Sequence, residues 1–170
     1  MLSTILAAYP WLGIAAVVAA VVVGLPLGWW VASRSRVAWV LAAVAAAGVL
    51  VATLYPTGRV VEVVCVLGRD GTLAGPEPLA NVALFVPIGL LVGVASRRPV
   101  LGALAGVVLT VAIELVQALV PAIGRSCAMD DAIANAVGAA LGAVLAVIAL
   151  QLPRRGAPDR ATAADAAARR

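Results

Sequence analysis

The 170-residue chain contains no histidine and no lysine, and charged residues make up only 12% of it. Without histidine there is no imidazole for acid/base catalysis near neutral pH, and the commonest ligand for transition metals is missing. Ser-His and Cys-His nucleophile arrangements are excluded with it. All 12 basic residues are arginine.

What fills the chain is alanine, valine, leucine and glycine. Apolar residues reach 64% and mean hydropathy is +1.12, against roughly 45–50% apolar residues in soluble domains. This composition reads as an integral membrane protein. Five apolar runs are long enough to cross a bilayer as helices, at about residues 10–32, 37–55, 79–96, 99–121 and 129–152. The expected fold is therefore all-α: a polytopic bundle forming a single domain over residues 1–152. The cytoplasmic tail, 153–170, is rich in Ala, Arg, Pro and Asp and reads as disordered or weakly helical.

Arginine placement sets the expected topology. Arg34 and Arg36 follow the first run, Arg97 and Arg98 separate the third from the fourth, and Arg154, Arg155, Arg160, Arg169 and Arg170 follow the fifth. These nine fall on one side of an alternating path, while the other side holds Arg59, Arg69 and Arg125 together with Glu62, Asp70 and Glu77. The positive-inside rule then gives N-terminus out and C-terminus in. The net charge of +4 is spread over short flanks and a tail, which points to lipid headgroups as partners and not to nucleic acid.

Cys65 and Cys127 both fall on the outer side of this topology, where an oxidising environment permits a disulfide. Such a bond would tie the outer loop, Pro56 to Pro78, over the bundle. Within that loop the β-branched run from Val60 to Leu67, followed by Gly68-Arg69-Asp70-Gly71, predicts a short hairpin or an interfacial re-entrant element. Pro87 predicts a kink in the third span. Glycine pairs four apart, Gly24/Gly28, Gly89/Gly93, Gly102/Gly106 and Gly138/Gly142, mark close helix packing, inside the bundle or in a homo-oligomer.

Polar residues are scarce, and they cluster. Thr110, Glu114 and Gln117 share one face of the fourth span, and Asp131 and Asn135 share one face of the fifth, with Gly138 and Gly142 continuing it. Asn81 lies near the outer start of the third span, and Arg125 and Asp130 lie at the fourth-to-fifth connection. Glu114 and Asn135 each sit about six residues from the outer end, roughly 9 Å deep at ~1.5 Å per residue. A carboxylate at depth costs about 2.5 kcal/mol or more unless paired or hydrated. Arg125 is the expected partner of Glu114 or Asp131. The cluster reads either as an internal polar staple fixing helix register or as a polar pocket open to the outside.

Four segments carry a resemblance. Asn81-Val-Ala-Leu-Phe85-Val-Pro87-Ile-Gly89, Ile113-Glu114-Leu115-Val116-Gln117, Gly124-Arg125-Ser126 and Asp130-Asp131-Ala-Ile-Ala-Asn135-Ala-Val-Gly138 resemble, in order and spacing, the VanZ-like family of small bacterial membrane proteins. The resemblance covers about residues 79–146; the first two spans and the outer loop carry no matching motif. It implies an association with teicoplanin resistance, through the founding member, and leaves the chemistry open.

Three functions fit the residues. A binding protein would hold the polar head of a lipid-linked or amphiphilic envelope molecule, or a lipoglycopeptide, with Asn81, Glu114, Gln117, Arg125, Asp130, Asp131 and Asn135, Arg125 taking a phosphate or carboxylate. An enzyme acting on an envelope lipid or glycan would use Glu114 and Asp131 as acid and base. In that case the carboxylates could hold Mg²⁺ or Ca²⁺ through oxygen ligands, although no metal site or cofactor is identified. A flippase or transporter component is the third; the apolar inner halves of spans three to five argue against a continuous path.

Overall fold

The computed structural model describes residues 5, 6, 8–58 and 75–153. Five long helices carry the fold: α1 Trp11–Val31, α2 Ser35–Leu54, α3 Pro76–Ser96, α4 Pro99–Leu119 and α5 Met129–Gln151, with a 3₁₀ turn at Pro121–Ile123. Each is 20–23 residues long and apolar enough to cross a membrane, matching the ~30 Å hydrocarbon thickness at ~1.5 Å per residue. There is no strand among the described residues. The expected hairpin at 60–71, Cys65 and the tail beyond Pro153 lie outside them.

The ends of the helices follow from local chemistry. α3 begins at Pro76, three residues before its apolar run, because proline is pre-organised for the first helical turn and needs no hydrogen-bond partner there. α4 stops at Leu119 because Val120 precedes Pro121 and is held out of the helical region, at φ −122° and ψ 76°. Gly124 then reverses the chain at φ 65°, where a side chain is disfavoured. α3 runs as one helix through Pro87.

α3 is the central post. It packs against all four other spans, with α1, α5, α4 and α2 arranged around it in that order. Its buried residues, among them Val82, Phe85, Val86, Leu90, Leu91 and Val94, point in every direction around the helix. The closest approach is to α5. A Cβ on Gly89 would run into the backbone of Ala139, and one on Gly142 into that of Val86. The glycine pairs predicted from spacing are thus spent inside the bundle: Gly24 and Gly28 receive Leu90, Gly102 abuts Gly89, and Gly106 abuts Ala139.

The bundle is chemically lopsided along its axis. At the end bearing Ala32, Arg34 and Arg97, the core is wholly apolar, built from Val31, Ala38, Leu90, Val94, Leu145 and Ala149. The buried polar side chains, Thr110, Glu114, Gln117 and Asn135, all lie toward the opposite end. Arg34 stacks 4.5 Å over the Trp30 ring and donates to the Trp30 carbonyl at 2.8 Å. Arg97 reaches across to the Ala32 carbonyl at 3.4 Å, closing the C-terminus of α1.

Candidate functional site

The polar cluster forms where the last turns of α4 meet the first turns of α5 and α3. The two helices run antiparallel, so Thr110 faces Asn135 and Glu114 faces the turn carrying Asp131. Asn135 Nδ2 donates to Thr110 Oγ1 at 2.9 Å in a fully buried contact. Asn81 Nδ2 on α3 donates to Asp131 Oδ1 at 2.8 Å, tying α3 to α5. Asp131 lies close enough to act electrostatically on Glu114.

Glu114 has a defined structural task. Its Oε2 accepts the backbone N–H of Ala128 at 2.8 Å, and Ala128 is the N-cap residue of α5. The first N–H groups of a helix lack internal partners and carry partial positive charge, so a carboxylate there is favourable. α5 has no side-chain cap of its own; α4 supplies one.

Arg125 acts electrostatically on Asp131, as the sequence suggests, but its hydrogen bonds go elsewhere. Its guanidinium donates to the Ala52 carbonyl at 2.9 Å and the Tyr55 carbonyl at 3.3 Å, and none of its described hydrogen bonds goes to Glu114 or Asp131. The reason is the mirror image of the Glu114 contact. The last carbonyls of α2 have no intrahelical donors and form the negative end of a helix dipole, so they compete with the carboxylates for the cation. Gln117 serves the same helix end, donating from Nε2 to the Thr53 carbonyl at 3.0 Å. Thr57, just past α2, donates its N–H to Ile123 O at 3.0 Å and its hydroxyl to Gly124 O.

The seven predicted residues therefore divide. Asn81, Glu114, Asp131 and Asn135 come together around the α4–α5 seam, and Gln117 and Arg125 face α2. Asp130 is half-buried on the first turn of α5, within electrostatic reach of Asp131. Sequence reasoning passed over Ala52, Thr53 and Tyr55, whose carbonyls draw Gln117 and Arg125 away. Counting the open carbonyls at the end of α2 would have found them.

One atom in the seam is unspent. Asn135 is 2% exposed, and its Oδ1 is a buried acceptor with no hydrogen-bond partner. Glu114 and Asp131 each use one carboxylate oxygen in a described hydrogen bond, and the second oxygen of each belongs to the same seam.

Four apolar spans around a central fifth, with a polar seam at one end, define a multi-pass membrane protein with one candidate site among the described residues. A family model described as VanZ/LLP1 matches residues 14–150, and the chain belongs to that family. The match takes in α1 and α2, which carry none of the motifs. Comparison with curated proteins and with solved structures gives no match.

Proposed function

We propose that this VanZ/LLP1 family member is a binding protein of the bacterial plasma membrane, with its N-terminus and polar seam outside and its C-terminus inside. Its ligand is the polar head of an amphiphilic or lipid-linked envelope molecule, a class that includes lipoglycopeptides of the teicoplanin type. The observation that carries this reading is the buried, unpartnered Oδ1 of Asn135. A staple would satisfy its own polar atoms, because an orphaned buried acceptor costs about 1–3 kcal/mol. A seat for a ligand leaves one open. Outward placement rests on the arginines of the opposite end.

An enzyme remains the second reading because Glu114 and Asp131, the two candidate acid/base groups, are electrostatic neighbours. Against it stands the commitment of Glu114 to the Ala128 N–H. A carrier finds less support, since the buried polar side chains among the described residues stop at Thr110 and none continues toward the arginine-rich end.

Purified protein in nanodiscs, incubated with envelope lipid precursors and followed by native mass spectrometry, separates these readings. The binder retains a precursor unchanged and loses it in Asn135→Leu. Chemical turnover that disappears in Glu114→Gln would establish the enzyme instead. A Cys65–Cys127 disulfide belongs to the same proposal, holding the outer loop over the seam beside Cys127, which is buried. Alkylation with and without reduction tests it: both thiols should label only after reduction.

A further inference from the structure

The seam offers hydrogen-bond acceptors, and the nearby guanidinium is engaged elsewhere. Glu77, Glu114 and Asp131 are acidic residues at this end of the described structure, and Arg125 is the cation among the described residues there; Arg59 and Arg69 lie outside them. Arg125 is held by the carbonyls of Ala52 and Tyr55. An anionic head entering here would have to displace those contacts and approach several carboxylates.

Asn135 points the same way by a separate route. Its amide donor is already given to Thr110, and what it leaves open is an acceptor at 2% residue exposure. Asn135 lies one turn beyond Asp131 on α5, and Thr110 lies one turn before Glu114 on α4. The open oxygen is therefore in the same seam as the second oxygens of both carboxylates. Among the described residues no three acidic or cysteine side chains come together to hold a metal ion. A primary ammonium has three N–H donors on a small cation, which suits an open amide oxygen set beside two neighbouring carboxylates.

We infer that the seam between α4 and α5 binds a primary ammonium group, with Asn135 Oδ1, Glu114 and Asp131 as its acceptors. This rests on the binding reading above and specifies its ligand class: an amine-bearing head, from an aminolipid or from a soluble amino compound. The amine keeps its proton, and binding exchanges hydration for charge-assisted hydrogen bonds, two to carboxylates and one to the amide oxygen.

The full chain in phosphatidylglycerol nanodiscs, titrated with dodecylamine, dodecyltrimethylammonium and dodecyl phosphate, tests the inference without any mutation. Charge and tail are matched in the first two, and only the first can donate. Dodecylamine should bind roughly tenfold or more tighter than the quaternary amine, the scale of one charge-assisted hydrogen bond. Asp131→Asn, which keeps an acceptor for Asn81, should reduce that preference to within about threefold. Equal binding of the two amines would overturn the inference, as would calcium chloride displacing dodecylamine at lower concentration than ethylamine does. Phosphatidylethanolamine added to the nanodisc, or glucosamine added to the buffer, identifies the source by which one competes; competition by neither counts against the inference.

The two levels fail differently. Dodecyl phosphate binding tightly and lost in Asn135→Leu would refute the ammonium while keeping the binding site. No amphiphile of either charge showing dependence on Asn135 or Asp131 would refute the site itself.

Discussion

α1 and α2 differ from α3 and α5 as anchors differ from a scaffold. Only 17% of the most apolar window of α1 or α2 is buried, against 56% for α3 and 50% for α5. The outward surfaces of α1 and α2 are lined by Ile14, Val18, Val22, Val40, Val44 and Val51, all exposed. The chain's four tryptophans, Trp11, Trp29, Trp30 and Trp39, also belong to these two helices and are exposed near their ends. Tyr9 and Tyr55 are exposed likewise, completing aromatic belts of the kind found at the two interfaces of a bilayer. α3 and α5 instead meet through glycine and alanine. All five spans are about equally apolar, so apolarity does not separate lipid-facing from helix-facing surface; small residues mark the places where two helix backbones come closest.

The sharpest way to break this comparison is to enlarge one glycine in each region. Gly142→Leu drives a side chain into the Val86 backbone and should cost about 3 kcal/mol or more, read as loss of folded protein in a detergent thermal melt. Gly48→Leu on α2 meets nothing within 4 Å and should melt within about 0.5 kcal/mol of the parent. Equal damage at both positions would abolish the distinction.

A smaller effect belongs to the seam. Thr110→Val strips Asn135 of its only described partner and should destabilise by about 2 kcal/mol, because a buried amide is left unpaired. The double variant Thr110→Val/Asn135→Leu removes both polar groups and should recover most of that stability while losing ligand. A double-mutant cycle in thermal denaturation measures the coupling.

Smaller still are the helix caps. Glu114→Ala removes the acceptor at the N-cap of α5 and should cost about 1–2 kcal/mol, whereas Glu114→Gln, which keeps an acceptor, should cost less than half of that. Arg125→Lys, losing the fork that spans two carbonyls, should cost about 1 kcal/mol. The smallest change is expected in the anchors. Trp39→Leu should leave the melt within about 0.5 kcal/mol and alter the depth of α2 in the bilayer, read by quenching with brominated lipids.

Much of this was legible in the residues. The five apolar runs lie within three residues of the observed helices, because proline, glycine and arginine punctuate them. The i, i+4, i+7 spacing of Thr110, Glu114 and Gln117 placed all three on the buried face of α4. The partners were harder to read. Opposite charge suggests Arg125 with Glu114 or Asp131, but Arg125 and Glu114 have backbone competitors that the side-chain sequence does not display, and Asp131 takes the Asn81 amide. Glu114 found the N–H of Ala128, and Arg125 the carbonyls ending α2. Helix ends are charged objects, and in an apolar surrounding they claim side chains first.

The central claim is that the open oxygen of Asn135 is a ligand seat. An electron cryomicroscopy structure of the protein in lipid nanodiscs with dodecylamine tests it most directly. The account predicts density for a non-protein donor about 3 Å from Asn135 Oδ1, between Glu114 and Asp131. A seam in which Oδ1 bonds only to protein groups, with the amphiphile elsewhere, would contradict it and leave the cluster as a staple.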